Sequence, residues 1–352
     1  MRTRLRAATN VLLDPASAFS DIARAAKAFH DLCASTTGIS GDRRGGLPEG
    51  PSGTALASGL ALAPFYAAQC LFFPLRTAVF VRGVRAAFAQ AHRRFPGEVL
   101  EVVYAGCGPF APLLLPQALD AGPGALRVTL IDIHEASVEA AVRLFEAAGL
   151  GGCLRDAVVC DAARYRHPPG IPLHLVVAEA MQKALIAEPQ VAITRRLAPQ
   201  LHARGLLVPE RIVLEASFVD VAQPYAAAAT DDEVKAVMDG PTARPLGRID
   251  AGPVFEVSLQ NTRGTGRLPA SRTPDGTPVL PAAELRIPPL SEAGSAVQLH
   301  STVHVFGPHV LRPGECVLTE THHLTYLAPR SGRTLALAYA MGPHPRLTAT
   351  VR

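Results

Sequence analysis

The fold of this chain is decided by one stretch, Leu100–Asp132, which reads LEVVYAGCGPFAPLLLPQALDAGPGALRVTLID. Its first apolar run ends on a glycine turn that contains Gly106 and Gly108, and its second apolar run ends on the acid Asp132. The chain between the two runs is long enough for one helix. The stretch therefore predicts a strand, a glycine turn, a helix, a second strand and an acid.

These residue types have the chemistry of a nucleoside pocket. Glycines allow the backbone to approach a ligand closely, and an acid at the end of the second strand can accept hydrogen bonds from both ribose hydroxyls. The pattern is G-x-G-x-x-A, with Phe110 before the alanine. This pattern alone is compatible with NAD or FAD and with adenosylmethionine, so both classes of ligand stay open at this point.

Length and composition bound the remaining possibilities. The chain has 352 residues, 48% hydrophobic and 18% charged, which is enough for two domains with a large core. The net charge of +4 is a mild basic excess and does not indicate a nucleic-acid partner. The six cysteines form no C-x-x-C pair and no disulfide framework, a usage typical of a reducing compartment, so we predict a cytoplasmic protein.

The N-terminal part predicts helices and no membrane span. The basic run Arg2–Arg6 reads as a solvated tail without the apolar core of a signal peptide, and residues 15–34 read as an amphipathic helix. Residues 54–75 carry no charge over 22 positions, which is a bilayer length, but two prolines, a glycine and a glutamine interrupt them. We therefore expect two helices packed on the main domain, the second ending at Phe95.

Strands and helices alternate strictly between Glu98 and Pro209, which is typical of a parallel α/β unit. Strands are predicted at residues 99–105, 126–132, 154–160, 173–178 and 205–209. Helices are predicted at residues 111–121, 135–148 and 188–203.

The chain after Pro209 loses the helical rhythm and predicts an antiparallel β domain of sandwich or barrel type. One of its strand-like runs is ECVLTETHHLTYLA, residues 315–328. One short helix is predicted there, where Thr230 and Glu233 form a capping box.

Three acids follow strands of the predicted parallel sheet. Asp161 comes after the third strand, where an acid can accept the exocyclic amine of adenine, although an ordinary loop aspartate explains it equally well. Glu179 ends the fourth strand and Glu188 follows nine residues later. Two carboxylates in one cleft can bind a guanidinium through paired hydrogen bonds. The alternative is that Glu188 only begins a helix beside Pro189.

Here the sequence resembles a known family. The segment AEAMQKALIAEP resembles the double-glutamate loop of the protein arginine methyltransferases, with both glutamates at the family's spacing and Met181 two residues after the first. Arg76 and Thr77 resemble the Arg-Thr pair in the helix that covers the cofactor. Downstream, a glycine leads into an apolar strand, then Pro209-x-Arg211 and the β domain.

The resemblance implies a class I, Rossmann-like methyltransferase domain with N-terminal helices and a C-terminal antiparallel β sandwich or barrel domain. It implies adenosylmethionine as the cofactor and adenosylhomocysteine as its product. The resemblance then divides the chain into three parts. Residues 1–53 form an N-terminal helix and a flexible loop, residues 54–210 form the cofactor domain with a helical lid, and residues 211–352 form the β domain. The cofactor-binding residues are then Arg76, which would pair with the methionine carboxylate, and Tyr104, Gly106, Gly108, Asp132, Ile133, Asp161, Ala162 and Glu179.

The departures from the family pattern concern the acceptor. Tyr104 stands where the family has an acid, residues 55–62 lack its tyrosines, and its Thr-His-Trp signature is absent from a chain without tryptophan. Glu179 and Glu188 are the expected catalytic residues, and Met181 and His304 are expected to bind substrate beside them. We predict N-methylation of a small guanidino or amino metabolite in a biosynthetic pathway.

Other interpretations stay open. A protein arginine methyltransferase is the first alternative, an NAD(P)-dependent oxidoreductase is an alternative of another class, and a non-catalytic relative that assembles through its β domain is a third. His300, His304, His322 and His323 are a weak metal candidate, and we predict no metal. Residues 223–252 stand where the family carries its dimerisation arm, so we expect a homodimer. We expect no membrane or nucleic-acid partner.

Overall fold

The computed structural model describes residues 1–43, 52–220, 247–264, 267–289, 295–327 and 332–352. The helices are α1 (Arg2–Leu13), α2 (Phe19–Thr37), α3 (Pro64–Gln69), α4 (Pro74–Arg94), α5 (Leu115–Ala121), α6 (Glu135–Ala147), α7 (Gln190–Leu197) and α8 (Leu259–Thr262). The strands of the first half are β1 (Gly53–Leu56), β2 (Gly59–Leu62), β3 (Leu100–Ala105), β4 (Leu126–Asp132), β5 (Leu154–Val159), β6 (Leu175–Ala178) and β7 (Leu206–Val208). Those of the second half are β8 (Arg211–Asp220), β9 (Arg248–Ser258), β10 (Ser271–Arg272), β11 (Pro278–Arg286), β12 (Ser295–Phe306), β13 (His309–Leu311), β14 (His322–Leu327), β15 (Thr334–Ala340) and β16 (Arg346–Val351).

A five-stranded parallel sheet forms the centre of the first half, in the order β5-β4-β3-β6-β7. Every residue of β3 is buried, because helices cover both faces of the sheet, as is usual for parallel strands. The strand order reverses at β3, which has β4 on one side and β6 on the other. Open α/β sheets bind their ligands at the carboxyl edge of such a reversal.

The N-terminus is helical from its second residue, which corrects the expectation of a solvated basic tail. Arg2 and Arg6 both donate hydrogen bonds to the carbonyl of Leu119 at the end of α5. One face of α1 is buried, with Leu5 and Leu12 in the core. The side chains of Arg2 and Arg6 therefore bind α1 to α5 of the α/β unit.

The apolar stretch after residue 52 begins as a β-hairpin, β1-β2, where we had expected a helix. Gly59 lies at the turn with a φ of +143°, a conformation that L side chains rarely adopt. A Cβ there would lie 2.6 Å from the carbonyl oxygen of Ala187, so the hairpin packs directly on the double-glutamate loop, residues 179–188. The second predicted helix is confirmed as α4.

The second half contains two antiparallel sheets. Their orders are β10-β11-β15-β16 and β13-β12-β8-β9, and β14 also pairs with β12. The rings of Phe255 and Tyr339 stack at 4.8 Å and join the two sheets. Together with the parallel sheet, this arrangement confirms the predicted fold class. The domain boundaries remain predictions, and the helix expected at Thr230 and Glu233 lies outside the described residues.

The strand predicted at residues 315–328 is correct only for its second part, β14. Residues 312–321 form a loop, which we call the cap loop. Gly314 turns the chain with a φ of +80°, and the Glu315 carboxylate accepts the backbone N–H of Arg312 at 2.7 Å. The apolar residues of this segment predicted a strand, but in the structure they bury Leu318 at the cavity described below.

Within the described residues, no single helix has the length and apolar character of a membrane span. The helical segments Pro64–Phe72 and Pro74–Arg94 meet the test of length and composition only as a pair, which bends by 93°.

Candidate active site

A cavity of about 420 Å³ opens at the carboxyl edge of the parallel sheet, where β3, β4 and β6 end. This volume lies in the usual range for sites that bind a small molecule. The hairpin and α3 cover one side of the cavity, and the cap loop contributes Val317 and Leu318 to the wall. The site predicted from the sequence therefore lies at this cavity.

The glycine turn and Asp132 form one end of this cavity. Gly106 and Gly108 have φ of +69° and +59°, which explains why glycine occupies both positions. The backbone N–H groups of Gly108 and His134 donate to the two carboxylate oxygens of Asp132, each at 2.9 Å. A carboxylate has about four lone-pair sites, so Asp132 retains acceptor capacity toward a ribose.

All nine predicted cofactor residues line the cavity, including Tyr104, Ile133, Asp161 and Ala162. The Asp161 carboxylate accepts the backbone N–H of Ala163 at 2.9 Å, which braces the loop after β5. The structure thus brings together side chains from α4 and from the ends of four strands. Their role in cofactor binding remains a prediction.

Arg76 of α4 forms an ion pair with Glu179 at the end of β6. The two side chains are only 12% and 9% exposed. The Arg76 guanidinium also donates to the carbonyl of Cys70 at 3.3 Å and lies 5.8 Å from the centre of the Phe80 ring. Arg76, a predicted cofactor residue, and Glu179, a predicted catalytic residue, are therefore direct partners.

Glu188 lies on the same wall, 6% exposed. Burial, and then the negative charge of Glu179, raise the pKa of Glu188 to about 8. Burial also raises the pKa of Glu179, and the Arg76 guanidinium offsets part of that rise. One carboxyl of the pair is thus protonated near neutral pH, as expected when two acids share a buried site.

We expect this buried acid to make stability depend on pH. Between its ordinary pKa of 4.5 and its folded value of about 8, Glu188 keeps its proton in the folded state and loses it in the unfolded state. Stability therefore falls as pH rises through that window. Melting temperatures at pH 5.5 and 8 should differ less in Glu188→Gln than in the wild type. Equal differences in both proteins would contradict the assignment.

The double-glutamate loop has an unusual backbone. Ala184, Leu185 and Ala187 all have left-handed φ, of 53°, 57° and 64°. Each such residue costs of order 1 kcal/mol or more, so the surroundings must hold the conformation. Backbone strain at residues other than glycine clusters at active sites and ligand clamps, where the surrounding structure fixes the position of a side chain.

Contacts from the β domain hold this loop. The bonds are Ala184 N–H to Ser301 Oγ at 3.0 Å, Tyr339 O–H to the Leu185 carbonyl at 2.6 Å, and Ala187 N–H to the Pro345 carbonyl at 3.0 Å. From the other side, Leu60 N–H donates to the Ala187 carbonyl at 2.8 Å. The β domain and the hairpin therefore set the position of both glutamates.

Tyr339→Phe should test this support. Its hydroxyl is fully buried, and removing it leaves the buried Leu185 carbonyl without that donor. We expect a loss of about 1–3 kcal/mol in the free energy of unfolding, measured by urea denaturation. Phe255→Leu, at the stacked partner ring, serves as the comparison because it perturbs packing but leaves the hydrogen bond. If Tyr339→Phe is as stable as the wild type, the bond does not support the loop.

The structure does not place His304 at the predicted substrate site. Ser301 of the same strand turns toward the double-glutamate loop, where it accepts the N–H of Ala184. Because side chains alternate along a strand, His304 turns to the opposite face. There its Nε2 lies 2.9 Å from the guanidinium of Arg211. Met181, by contrast, lines the cavity and is 4% exposed.

The histidines of the β domain have other surroundings. His300 contacts Ser217 Oγ at 2.8 Å and Thr321 Oγ1 at 3.3 Å. Over the described ranges, no three His, Cys, Asp or Glu side chains come together in a way that could hold a metal ion.

Several wall residues were missed from the sequence. The hairpin contributes Leu56, Leu60 and Leu62, the double-glutamate loop contributes Lys183, and the cap loop contributes Glu320. Gln190 is buried behind the wall and was also missed, although a glutamine two residues after Glu188 at a helix start was a signal for it. Its side chain accepts the Ala180 N–H and donates to the Ala178 carbonyl. The hairpin and the cap loop had no such signal, because only the tertiary fold brings them to the site.

Comparison with known proteins gives relatives at the level of structure. No protein-family model matches the chain, and no curated protein matches it. The crystal structure of PRMT6 matches with a TM-score of 0.50 and 13% identity, over 81% of this chain and 99% of that chain. The Trypanosoma brucei PRMT1 enzyme–prozyme heterotetrameric complex with AdoHcy matches with a TM-score of 0.46 and 10% identity, over 79% of this chain and 89% of that one.

The likeness to PRMT6 shows a shared fold. At 13% identity it concerns the fold alone and does not establish an activity. This chain therefore has a PRMT-like fold, in which a Rossmann-like parallel sheet precedes an antiparallel β domain. What it does must be argued from the cavity.

Proposed function

We propose that the protein is an adenosylmethionine-dependent N-methyltransferase whose acceptor is a small guanidino or amino metabolite of a biosynthetic pathway. The observation that carries the proposal is the Arg76–Glu179 ion pair. It joins the nucleoside end of one cavity, at the glycine turn and Asp132, to a buried acid pair suited to a cationic nitrogen.

The residues at the nucleoside end fit adenosylmethionine. Asp132 can accept the ribose hydroxyls, and Asp161 can accept the adenine amine. Arg76 has five N–H donors, and its bonds to Glu179 and to the Cys70 carbonyl leave capacity for the methionine carboxylate. Bound there, adenosylmethionine supplies a sulfonium methyl group, which a nitrogen takes as the new N–C bond forms and the C–S bond breaks.

The acid pair provides the chemistry at the acceptor. Glu179 and Glu188 can hold an ammonium or guanidinium by paired, charge-assisted hydrogen bonds and fix its nitrogen in line for displacement. A carboxylate of the pair accepts the proton that the nitrogen loses. The apolar walls exclude water, so these charges act at a low dielectric.

The elements that cover the cavity favour a small acceptor over a protein. The β1-β2 hairpin and the cap loop both contribute to its wall. The tryptophan of the family's substrate signature has no counterpart in the chain. Protein arginine methylation is the second candidate, and the double-glutamate loop together with the PRMT-like fold favours it.

One experiment separates these candidates. The protein is incubated with methyl-labelled adenosylmethionine and either a small-metabolite extract or an extract of proteins. We expect label in a small nitrogen compound. Label only in protein arginine would support the second candidate. Label in neither fraction, together with reduction of NAD by a metabolite, would overturn the proposal in favour of an oxidoreductase.

We also propose a homodimer in the cytoplasm. The dimer rests on the position of residues 223–252, of which 223–246 lie outside the described residues. Light scattering at micromolar concentration should give twice the chain mass of 37.0 kDa. An active monomer would contradict it.

A further inference from the structure

The cap loop forms part of the cavity wall, and hydrogen bonds within the loop hold its conformation. Gly314 N–H donates to the Thr319 carbonyl at 2.7 Å, and Cys316 N–H donates to Thr319 Oγ1 at 3.1 Å. Thr319 is fully buried. These bonds fix the loop, and they set Val317, Leu318 and Glu320 along the cavity.

A second charged pair faces this cavity. Lys183, within the double-glutamate loop, lies 3.2 Å from Glu320 of the cap loop, Nζ to Oε2. Both residues line the cavity, and their side chains are 36% and 53% exposed. An ion pair this exposed contributes little to the stability of the fold, because solvent screens both charges. Both charges are accessible to a ligand.

We propose that Lys183 and Glu320 bind the non-reacting end of a zwitterionic acceptor, so that the substrate class is a free amino acid with a guanidino or amino side chain. The proposal rests on the proposed methyl transfer. Lys183 takes the α-carboxylate and Glu320 takes the α-ammonium, while Glu179 and Glu188 take the side-chain nitrogen.

Charge balance supports this assignment. When a zwitterion enters, its two charges replace the Lys183–Glu320 contact with two new ion pairs, and no charge is left without a partner. An arginine inside a polypeptide has neither charged group, and a diamine lacks the carboxylate. Both would leave Lys183 without a substrate anion.

Matched acceptors test the proposal. Each amino acid is paired with its decarboxylated form: L-arginine with agmatine, L-lysine with cadaverine, and L-ornithine with putrescine. We expect methyl transfer to amino acids to exceed transfer to their partners by about 10- to 100-fold in kcat/KM. In Lys183→Met the ratio between the two members of a pair should fall toward one.

A second single variant distinguishes recognition from a simple latch between the two loops. Glu320→Gln breaks the ion pair but keeps Lys183, and both members of each matched pair carry the ammonium that Glu320 would take. Recognition predicts that Glu320→Gln keeps the preference for amino acids that Lys183→Met loses, whereas a latch predicts that the two variants change the preference alike. Equal changes in the two variants, equal use of the decarboxylated acceptors by the wild type, or label transfer only to protein would overturn the proposal. Failure of adenosylhomocysteine to raise the melting temperature would instead overturn the proposed function itself.

Discussion

Glu179→Gln is expected to lower turnover by about two to four orders of magnitude, the usual scale for loss of a positioned acid–base or electrostatic group. The substitution keeps the shape of the side chain, and its amide oxygen can still accept a hydrogen bond from Arg76. Affinity for adenosylhomocysteine should therefore stay within a few fold. Single-turnover rates and calorimetric titration measure the two quantities separately.

A surface glutamate is the control for this variant. Glu139 lies on α6, is 59% exposed and pairs only loosely with Arg143 at 3.7 Å. Glu139→Gln should change neither rate nor affinity. If Glu179→Gln instead loses adenosylhomocysteine binding while its residual turnover keeps the same acceptor dependence, the acid pair serves the cofactor or the fold.

Asp132→Ala is expected to abolish most of the stabilisation by adenosylhomocysteine. A ligand at 100 times its Kd stabilises the folded state by about 2.7 kcal/mol, which appears as a rise in melting temperature. Alanine removes the predicted ribose acceptor. It also removes the bond from Gly108 that holds the glycine turn and the bond from His134 that holds the segment after β4. The rise in melting temperature should therefore nearly vanish.

Two further variants separate loss of the ribose acceptor from disruption of the glycine turn. Asp132→Asn keeps one oxygen acceptor and should retain part of the ligand-induced rise. Asp156→Ala, at an exposed position on neighbouring β5, should keep all of it. An unchanged rise in Asp132→Ala would remove the nucleoside assignment from this cavity.

The parallel sheet could be predicted because its strands are local and buried on both faces. Each of the predicted strands from β3 to β7 is present within a few residues of its expected bounds. Most of the predicted cofactor residues stand at or just after the carboxyl ends of these strands, so strand order alone brings Gly106, Asp132 and Glu179 to one edge. The sequence signal and the spatial arrangement agree there.

The rest of the site depends on contacts distant in the sequence. Arg76 and Glu179 are 103 residues apart, and Lys183 and Glu320 are 137 apart. The run of small apolar residues in the hairpin is equally compatible with a helix. Only its packing on Ala187 selects the hairpin. His304 was misplaced because the resemblance suggested a substrate role while strand alternation turns it away.

We propose that the cavity at the carboxyl edge of the sheet binds adenosylmethionine and not a dinucleotide. Calorimetric titration of the wild-type protein with adenosylhomocysteine and, separately, with NAD distinguishes the two ligands. We expect one adenosylhomocysteine bound per chain and no heat from NAD at the same concentration. Binding of NAD without binding of adenosylhomocysteine would contradict it.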